Sequence, residues 1–282
     1  MDELLALKEK LTKAQFNVKW LQDGDRNSKF FHGLHRERRT KNTLSAIRVG
    51  DNTFTAVEDI AKASVDYFQE IYTDDGQLFT MFEDSISACV TSTQNETLTA
   101  APLEGEVRAA LFSLHMDNTA GPDGFGNKFF MLYWDILHAD VTNAVREFFL
   151  SGSLPHGAGA NFISLIPKKE NAIVIGDFLP VAVGNTIPKI ISKIIVIRVG
   201  KMLGDIITPN QFGFVPGRNI QTCLFTASEG VNAMRRKTKQ GSFSLKLDIS
   251  KAFDTIKWSF IFEILSRYGF FSRFIRLISL IL

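Results

Sequence analysis

The sequence predicts an α+β fold, and three observations carry that prediction. Phe243, Leu245, Leu247 and Ile249 alternate with Ser244, Lys246, Asp248 and Ser250, the period of two of a half-buried strand. Trp258, Ile261, Phe262 and Leu265 follow at the i, i+3, i+4, i+7 spacing of an apolar helix stripe. Upstream, the apolar run Phe162 to Ile166 reads as a buried strand closed by Pro167-Lys168-Lys169, with helical patterns on either side. Strands alternating with helices make a mixed domain. At 282 residues, 45% hydrophobic and 22% charged, the chain has the material for a core and is not compositionally disordered.

Two cysteines, Cys89 and Cys223, are too few for a disulfide framework or a multi-cysteine zinc site, so a reduced, intracellular chain is expected. The first residues, Met1-Asp2-Glu3-Leu4-Leu5, do not read as a secretory signal. No apolar run approaches the roughly 20 residues of a membrane span, so no membrane partner is expected. The net charge of +2 conceals three blocks. Residues 1–50 carry 11 basic and 6 acidic side chains, residues 51–106 carry 1 and 12, and residues 107–282 carry 20 and 12. The outer blocks can face phosphate and the middle one cannot. These blocks set the expected divisions: a basic helical segment over 1–50, an acidic helical connector over 51–106, and the remainder over 107–282.

Taken in order, Leu4, Leu7, Leu11, Ala14 and Phe16 suggest a first helix. Lys29, Arg36, Arg38, Arg39 and Lys41 then interleave with Phe30 and Phe31. That pattern suits single-stranded nucleic acid, cations to phosphates and rings to bases. It equally suits a helix with an aromatic core face and a basic solvent face, which has the edge on this segment alone. A short strand (Leu44 to Val49), a turn at Gly50-Asp51-Asn52 and a helix over 57–72 come next. Ala120-Gly121-Pro122-Asp123-Gly124 is the strongest turn signal. The helix after it is expected to turn Phe129, Tyr133, Ile136, Asp140, Ala144 and Phe148 to one face and to stop at Gly152. A helix over 187–203 carries Ile190, Ile191, Ile194 and Ile195. The loop Gln211 to Arg218 and a helix over 219–236 lead to the strand that carries Asp248.

A carboxylate at a strand end beside a backbone carbonyl suits a hard, oxygen-seeking ion such as Mg²⁺. Phosphoryl or nucleotidyl transfer by two metals needs at least two such carboxylates. Asp248 supplies one; Asp254, six residues on, reads first as an N-cap for the next helix. No phosphate-binding Gly-x-x-x-x-Gly-Lys loop, dinucleotide fingerprint or Gly-x-Ser-x-Gly elbow occurs. His32 and His35 lack the companions a zinc site needs.

An ordered series of segments resembles the reverse transcriptases of LINE-type, non-LTR retrotransposons, in the form abundant in plant genomes. The series runs from Trp20-Leu21-Gln22-Asp23-Gly24-Asp25 through Gly121-Pro122-Asp123-Gly124-Phe125, Ile166-Pro167-Lys168-Lys169 and Asp177-Phe178-Leu179-Pro180. It continues through Lys189-Ile190-Ile191-Ser192-Lys193 and Gln211-Phe212-Gly213-Phe214-Val215-Pro216-Gly217-Arg218 to Lys246-Leu247-Asp248-Ile249-Ser250-Lys251-Ala252-Phe253-Asp254. The resemblance implies an RNA-directed DNA polymerase of right-hand architecture, with this chain as fingers and partial palm over 107–282. Its partners would be an RNA template, a DNA primer and dNTP, its cofactor Mg²⁺, and its work directed at nuclear DNA. Within it, Asp248 resembles the first catalytic acid and metal ligand, with the Ile249 carbonyl beside it. Lys168 resembles the lysine that faces the triphosphate, and Phe253 the ring that screens the sugar 2′ position. Gln211 and Arg218 lie in a motif associated with the template and nucleotide pocket.

The sequence departs from the resemblance at two places. Leu179 stands where the family has an Arg, removing a cation whose loss from a phosphate clamp costs about 3–5 kcal/mol of transition-state stabilisation. The sequence given also stops at Leu282, before the Ala-Asp-Asp box and the thumb. A chain inactive by itself is therefore expected. The alternative is a non-catalytic module that binds RNA or single-stranded DNA.

Overall fold

The helix Thr186–Gly200 is the axis on which the rest assembles. Its sequence, rich in β-branched isoleucine and valine, has modest helix propensity of its own, so burial has to hold it. Ile190, Ile191 and Ile194 are fully buried and Ile195 nearly so. In the computed structural model the described residues are 44–73, 86–234, 243–248 and 255–282. Their elements in chain order begin with β1 (Ile47–Val49), β2 (Asn52–Phe54), α1 (Val57–Tyr72), α2 (Ser92–Thr99) and α3 (Glu104–Phe112). Then come α4 (Asn127–Leu132), α5 (Trp134–Ser151), β3 (Asn161–Pro167), β4 (Phe178–Gly184), the axial α6 (Thr186–Gly200) and α7 (Leu203–Ile206). The last three are α8 (Ile220–Met234), α9 (Trp258–Arg267) and α10 (Ser272–Ser279).

Helices α2, α3, α5 and α10 pack around α6 in one helical core, with Val107, Leu111, Val145, Phe148 and Phe274 at its centre. Buried polar staples join these helices. Arg198, 6% exposed at the end of α6, donates through Nε and Nη2 to the two carboxylate oxygens of Glu106, each at 2.7 Å. Its Nη1 donates to the carbonyls of Leu98 at 3.0 Å and Ala100 at 2.6 Å, and its guanidinium lies 4.9 Å from the centre of the Phe149 ring. One side chain thus ties α2, α3, α5 and α6, and its buried charge is paired, with four of its five N–H groups hydrogen-bonded.

Helix α2 has almost no apolar stripe. A capping box starts it: Gln94 N–H donates to Thr91 Oγ1 at 3.2 Å, and Thr91 N–H to Gln94 Oε1 at 2.8 Å. Asn95, fully buried, then donates to the Gly269 carbonyl at 2.8 Å and accepts from Phe271 N–H at 2.7 Å. Gly269 adopts φ 90°, and a Cβ there would lie 3.3 Å from both Ala88 Cβ and the Val90 carbonyl oxygen, so the turn into α10 calls for glycine.

A smaller cluster forms around Ile47, Ile60, Phe68, Ile175 and Phe178. The hairpin β1–β2 turns at Gly50 (φ 58°) and pairs Ile47 with Phe54. Arg48 N–H donates to the Ile173 carbonyl at 2.8 Å, which joins the hairpin to the segment before β4. Strands β3 and β4 pair antiparallel, from Asn161 opposite Gly184 to Pro167 opposite Phe178. Helix α1 faces this ribbon across an apolar groove that includes Ile60, Phe68, Ile163 and Leu165.

Several expectations are corrected. The run 162–166 is not a buried strand: Phe162 is 59% exposed and Ile163 63%, because the ribbon has two strands and no layer covers it fully. Tyr133 breaks the helix expected after the Gly-Pro-Asp-Gly turn into α4 and α5. The break shifts the phase, so Trp134, Val141, Val145 and Phe148 are buried while Ile136 is 74% exposed. Gly152 does end α5, in the left-handed region at φ 76°. Residues 243–248 form no strand, and Phe243, Leu245 and Leu247 are 91%, 72% and 81% exposed. Alternation creates a strand only where a partner takes its hydrogen bonds, and among the described residues none does.

Candidate functional site

Residues singled out from the sequence fall at three described places: the tip of the β3–β4 ribbon, the loop after α7, and the segment 243–248. Lys29, Arg36, Arg38, Arg39, Lys41, Ile249, Phe253 and Asp254 lie outside the described residues.

At the ribbon tip, Lys168 is exposed directly after β3, and its N–H donates to the Asp177 carbonyl at 2.8 Å. The carboxylate of Asp177 pairs with the next lysine, Lys169, at 2.8 Å. Neighbouring lysines are thereby divided: Lys169 is neutralised, while the Lys168 ammonium has no ion pair among the described residues. A solvated, unpaired cation on a strand end is suited to meet a phosphate. Leu179 sits opposite Ile166 and is 43% exposed, adding apolar surface where the resemblance has a second cation.

The base of the same ribbon is held by a polar knot. Gly121-Pro122-Asp123-Gly124 forms a turn, with Gly124 N–H donating to the Gly121 carbonyl at 3.0 Å and Phe125 N–H to Asp123 Oδ1 at 2.9 Å. Asn185, 3% exposed between β4 and α6, accepts from Asp123 N–H and donates to the Gly157 and Ala158 carbonyls, all at 3.1 Å. Gly121 packs so closely that a Cβ would lie 2.3 Å from Asn185 Oδ1 and 2.5 Å from backbone atoms of Gly184 and Asn185. Lys189 donates to the Thr119 carbonyl at 3.4 Å. Burial pulls its ammonium below the ordinary lysine range, against the raising effect of the Asp123 carboxylate.

In the loop after α7, Arg218 donates through Nη1 to the carbonyls of Thr208 (2.5 Å) and Gln211 (2.7 Å), and through Nη2 to that of Ile207 (2.7 Å). Its guanidinium holds the loop shut. Arg218 N–H also donates to the Val215 carbonyl at 3.2 Å across Pro216-Gly217, with Gly217 at φ 79°, the chemistry of a type II turn. Gln211 is exposed, and its Nε2 donates to the Gly213 carbonyl at 3.3 Å. Phe214 adopts φ 62°, a conformation that costs an aromatic residue about 1–3 kcal/mol.

Asp248 is exposed at the end of the segment 243–248. Among the described residues no group of three or more His, Cys, Asp or Glu is placed to hold a metal ion. One exposed carboxylate does not make a magnesium site, so the described residues alone do not fit a two-metal centre.

Residues 166–282 match the reverse transcriptase (RNA-dependent DNA polymerase) family. The chain is also 28% identical over 258 residues to the transposon TX1 uncharacterized 149 kDa protein of Xenopus laevis, spanning 90% of this chain and 20% of that protein. It is 26% identical over 176 residues to the retrovirus-related Pol polyprotein from type-2 retrotransposable element R2DM of Drosophila melanogaster, spanning 62% and 16%. Residues 166–282 thus form a reverse transcriptase domain, and the chain is homologous to proteins of non-LTR retrotransposons. It spans a fifth or less of the length of these relatives. The family generally uses a divalent metal and binds a nucleic-acid template and primer. Among the described residues, no helix is long and apolar enough to cross a membrane.

Sequence reasoning passed over Arg198, Asn185 and Asn95. Arg198 left a signal: a charge at i+4 from Ile194 and i+3 from Ile195 lies on the apolar stripe and calls for a buried partner. The two asparagines left none, because their partners are backbone groups distant in sequence.

Proposed function

We propose that the chain supplies the fingers and the first part of the palm of an RNA-directed DNA polymerase, acting on an RNA template, a DNA primer and dNTPs. The observation that carries this reading is the family match over 166–282, a span that takes in Lys168, Gln211, Arg218 and Asp248. In this reading Lys168 meets the triphosphate, and Arg218 serves the nucleotide pocket by fixing the loop that carries Gln211. Asp248, with the Ile249 carbonyl, is the first ligand of Mg²⁺, and Phe253 screens the sugar. The metal, when bound, supplies charge neutralisation at the transferring phosphate. Lys29, Arg36, Arg38, Arg39 and Lys41 belong to a basic segment over 1–50 that holds nucleic acid, followed by an acidic connector over 51–106. The site of action is the cell nucleus.

A second reading is binding of RNA or single-stranded DNA without chemistry. It is favoured by the position of Asp248, exposed on a segment that forms no strand. A paired experiment tests both: anisotropy on a labelled RNA–DNA template–primer over a salt series, and primer extension with dNTPs and Mg²⁺. The protein is compared with Asp248→Ala and Lys168→Ala. The polymerase-fragment reading expects template–primer binding that weakens steeply with salt, no extension by this chain alone, since one carboxylate does not clamp two metal ions, and an affinity that dNTP with Mg²⁺ raises in the parent but not in Asp248→Ala or Lys168→Ala. Binding that dNTP and Mg²⁺ leave unchanged in all three proteins selects the second reading. No binding at low salt overturns both.

A further inference from the structure

Helix α1 and strand β3 leave an apolar groove of about 660 Å³ open to water. Ile60 and Phe68 are buried in it, but Val57 and Val65 are 80% and 62% exposed, and Ile163 of β3 is exposed as well. Val57, Ala61, Val65 and Gln69 form one row of α1 along the groove, four residues apart. The adjacent row holds Glu58, Lys62, Asp66 and Glu70, three acids to one lysine, all exposed. An apolar groove with an acidic margin repels phosphate and attracts an apolar segment that carries cations.

The chain itself supplies such a segment. Leu44, the first described residue, lines the groove, so the preceding chain starts from the groove itself. Residues 26–41 carry Phe30, Phe31 and Leu34 together with six basic side chains against a single acid, Glu37. Leu34 precedes Leu44 by ten residues. That length spans about 15 Å as helix and about 33 Å extended, against roughly 24 Å for the whole of α1. Other occupants match less well. The stripe Leu4, Leu7, Leu11 and Ala14 lies in residues 1–16, whose three acids and three lysines cancel. A second copy presenting its own α1 would set acid against acid. We propose that Phe30, Phe31 and Leu34 dock in the groove between α1 and β3, with Arg26 and Lys29 toward the acidic row. The docked rings are then unavailable to stack on bases. Arg36, Arg38, Arg39 and Lys41 are held between two fixed points, Leu34 and Leu44, where they still meet phosphate. The inference stands apart from the polymerase reading, which needs only those cations.

The test replaces the exposed Val65 of the full chain with photoreactive p-benzoylphenylalanine and maps its cross-links by mass spectrometry. An intramolecular cross-link to the peptide that holds Phe30 to Leu34 is expected. Combining Phe30→Ser, Phe31→Ser and Leu34→Ser should reduce its yield about tenfold, the change that losing half of one ring's burial gives. A second measurement needs no photoreactive group: amide exchange over 57–72 should run about tenfold faster in the triple variant than in the parent. Exchange in α3, α5 and α6 should stay the same, which separates undocking from misfolding. Cross-links that miss residues 30–34, that fall on residues 1–16, or that join two copies at the mass of a dimer overturn the docking. So does equal exchange over 57–72 in the parent and the triple variant. Each of these results leaves the polymerase reading in place. Failure of the parent to bind template–primer at low salt removes the polymerase reading, and the cross-link still decides the docking.

Discussion

The helical core around α6 and the surface formed by the ribbon and the 207–218 loop satisfy their polar groups in opposite ways. In the core, Arg198 and Asn95 spend their hydrogen bonds joining helices that are far apart in sequence, and apolar packing surrounds them. On the surface, Asn185 and Arg218 anchor the base of an element and leave its tip in water, with Lys168 and Gln211 displayed there. The difference separates side chains that hold the protein together from side chains held out toward a ligand. Charge alone does not distinguish them, since Arg198 and Arg218 are both arginines.

Breaking the core staple gives the largest effect. Arg198→Ala leaves the carbonyls of Leu98 and Ala100 without a donor and Glu106 without its partner. Loss of one member of a buried pair costs about 3–5 kcal/mol, and the partial exposure of Glu106 places this case near the lower end. Against a typical domain stability of about 5–15 kcal/mol, urea denaturation should show a sharply lowered midpoint. Arg198→Met with Glu106→Gln should recover part of the loss, because no unpaired charge remains. If Arg198→Ala leaves the midpoint unchanged, the core does not depend on that staple.

At the ribbon base, Gly121→Ala should cost about 1–3 kcal/mol, as overpacking does. The clash includes backbone atoms of Gly184 and Asn185, so truncating Asn185 cannot relieve it. Asn185→Ala, which loses three hydrogen bonds, should itself cost about 2 kcal/mol. The double variant should therefore be close to the sum of the singles. A double variant no worse than Asn185→Ala would show that only the side-chain oxygen crowds Gly121.

The core was more legible in the sequence than the surface. Helix α1 spans Val57–Tyr72, as its pattern predicts, and Gly152 ends α5 because a left-handed cap favours glycine. The isoleucine stripe of α6 is buried as expected. Helix α2 was not legible, because Ser-Thr-Gln-Asn-Glu-Thr-Leu-Thr carries no stripe and is held by its capping box and Asn95. The ribbon and the 243–248 segment show that apolar runs and alternation report a tendency to pair and stay silent on how many partners come. Of the candidate site, the exposure of Lys168 at a strand end follows from its sequence context. The commitment of Arg218 to three carbonyls of its own loop does not, because spacing along the chain says nothing about backbone oxygens around a bend.

Arg218→Ala tests which side of the comparison that residue belongs to. The bonds it loses are partly exposed, so global stability should fall by only about 1 kcal/mol, while amide exchange over 207–218 should accelerate strongly. Arg218→Lys should not restore protection, because one ammonium cannot span the three carbonyls as the guanidinium fork does. Unchanged exchange in Arg218→Ala would show that the loop does not depend on its guanidinium.

The smallest effect is expected at Lys189. Burial lowers its pKa from the ordinary 10.5, so in the alkaline range just below that value the unfolded chain binds more protons at this position than the folded one. The contribution of Lys189 therefore makes stability rise with pH through that window, and below it the folded state carries the desolvation penalty in full. Lys189→Met removes both the penalty and a long 3.4 Å hydrogen bond to Thr119, two small terms of opposite sign. Stability at neutral pH should stay within about 0.5 kcal/mol of the parent, and denaturation midpoints across the alkaline window should lose part of their upward slope. A steeper slope in the variant would mean that the Asp123 carboxylate, and not burial, governs this lysine at the base of the ribbon.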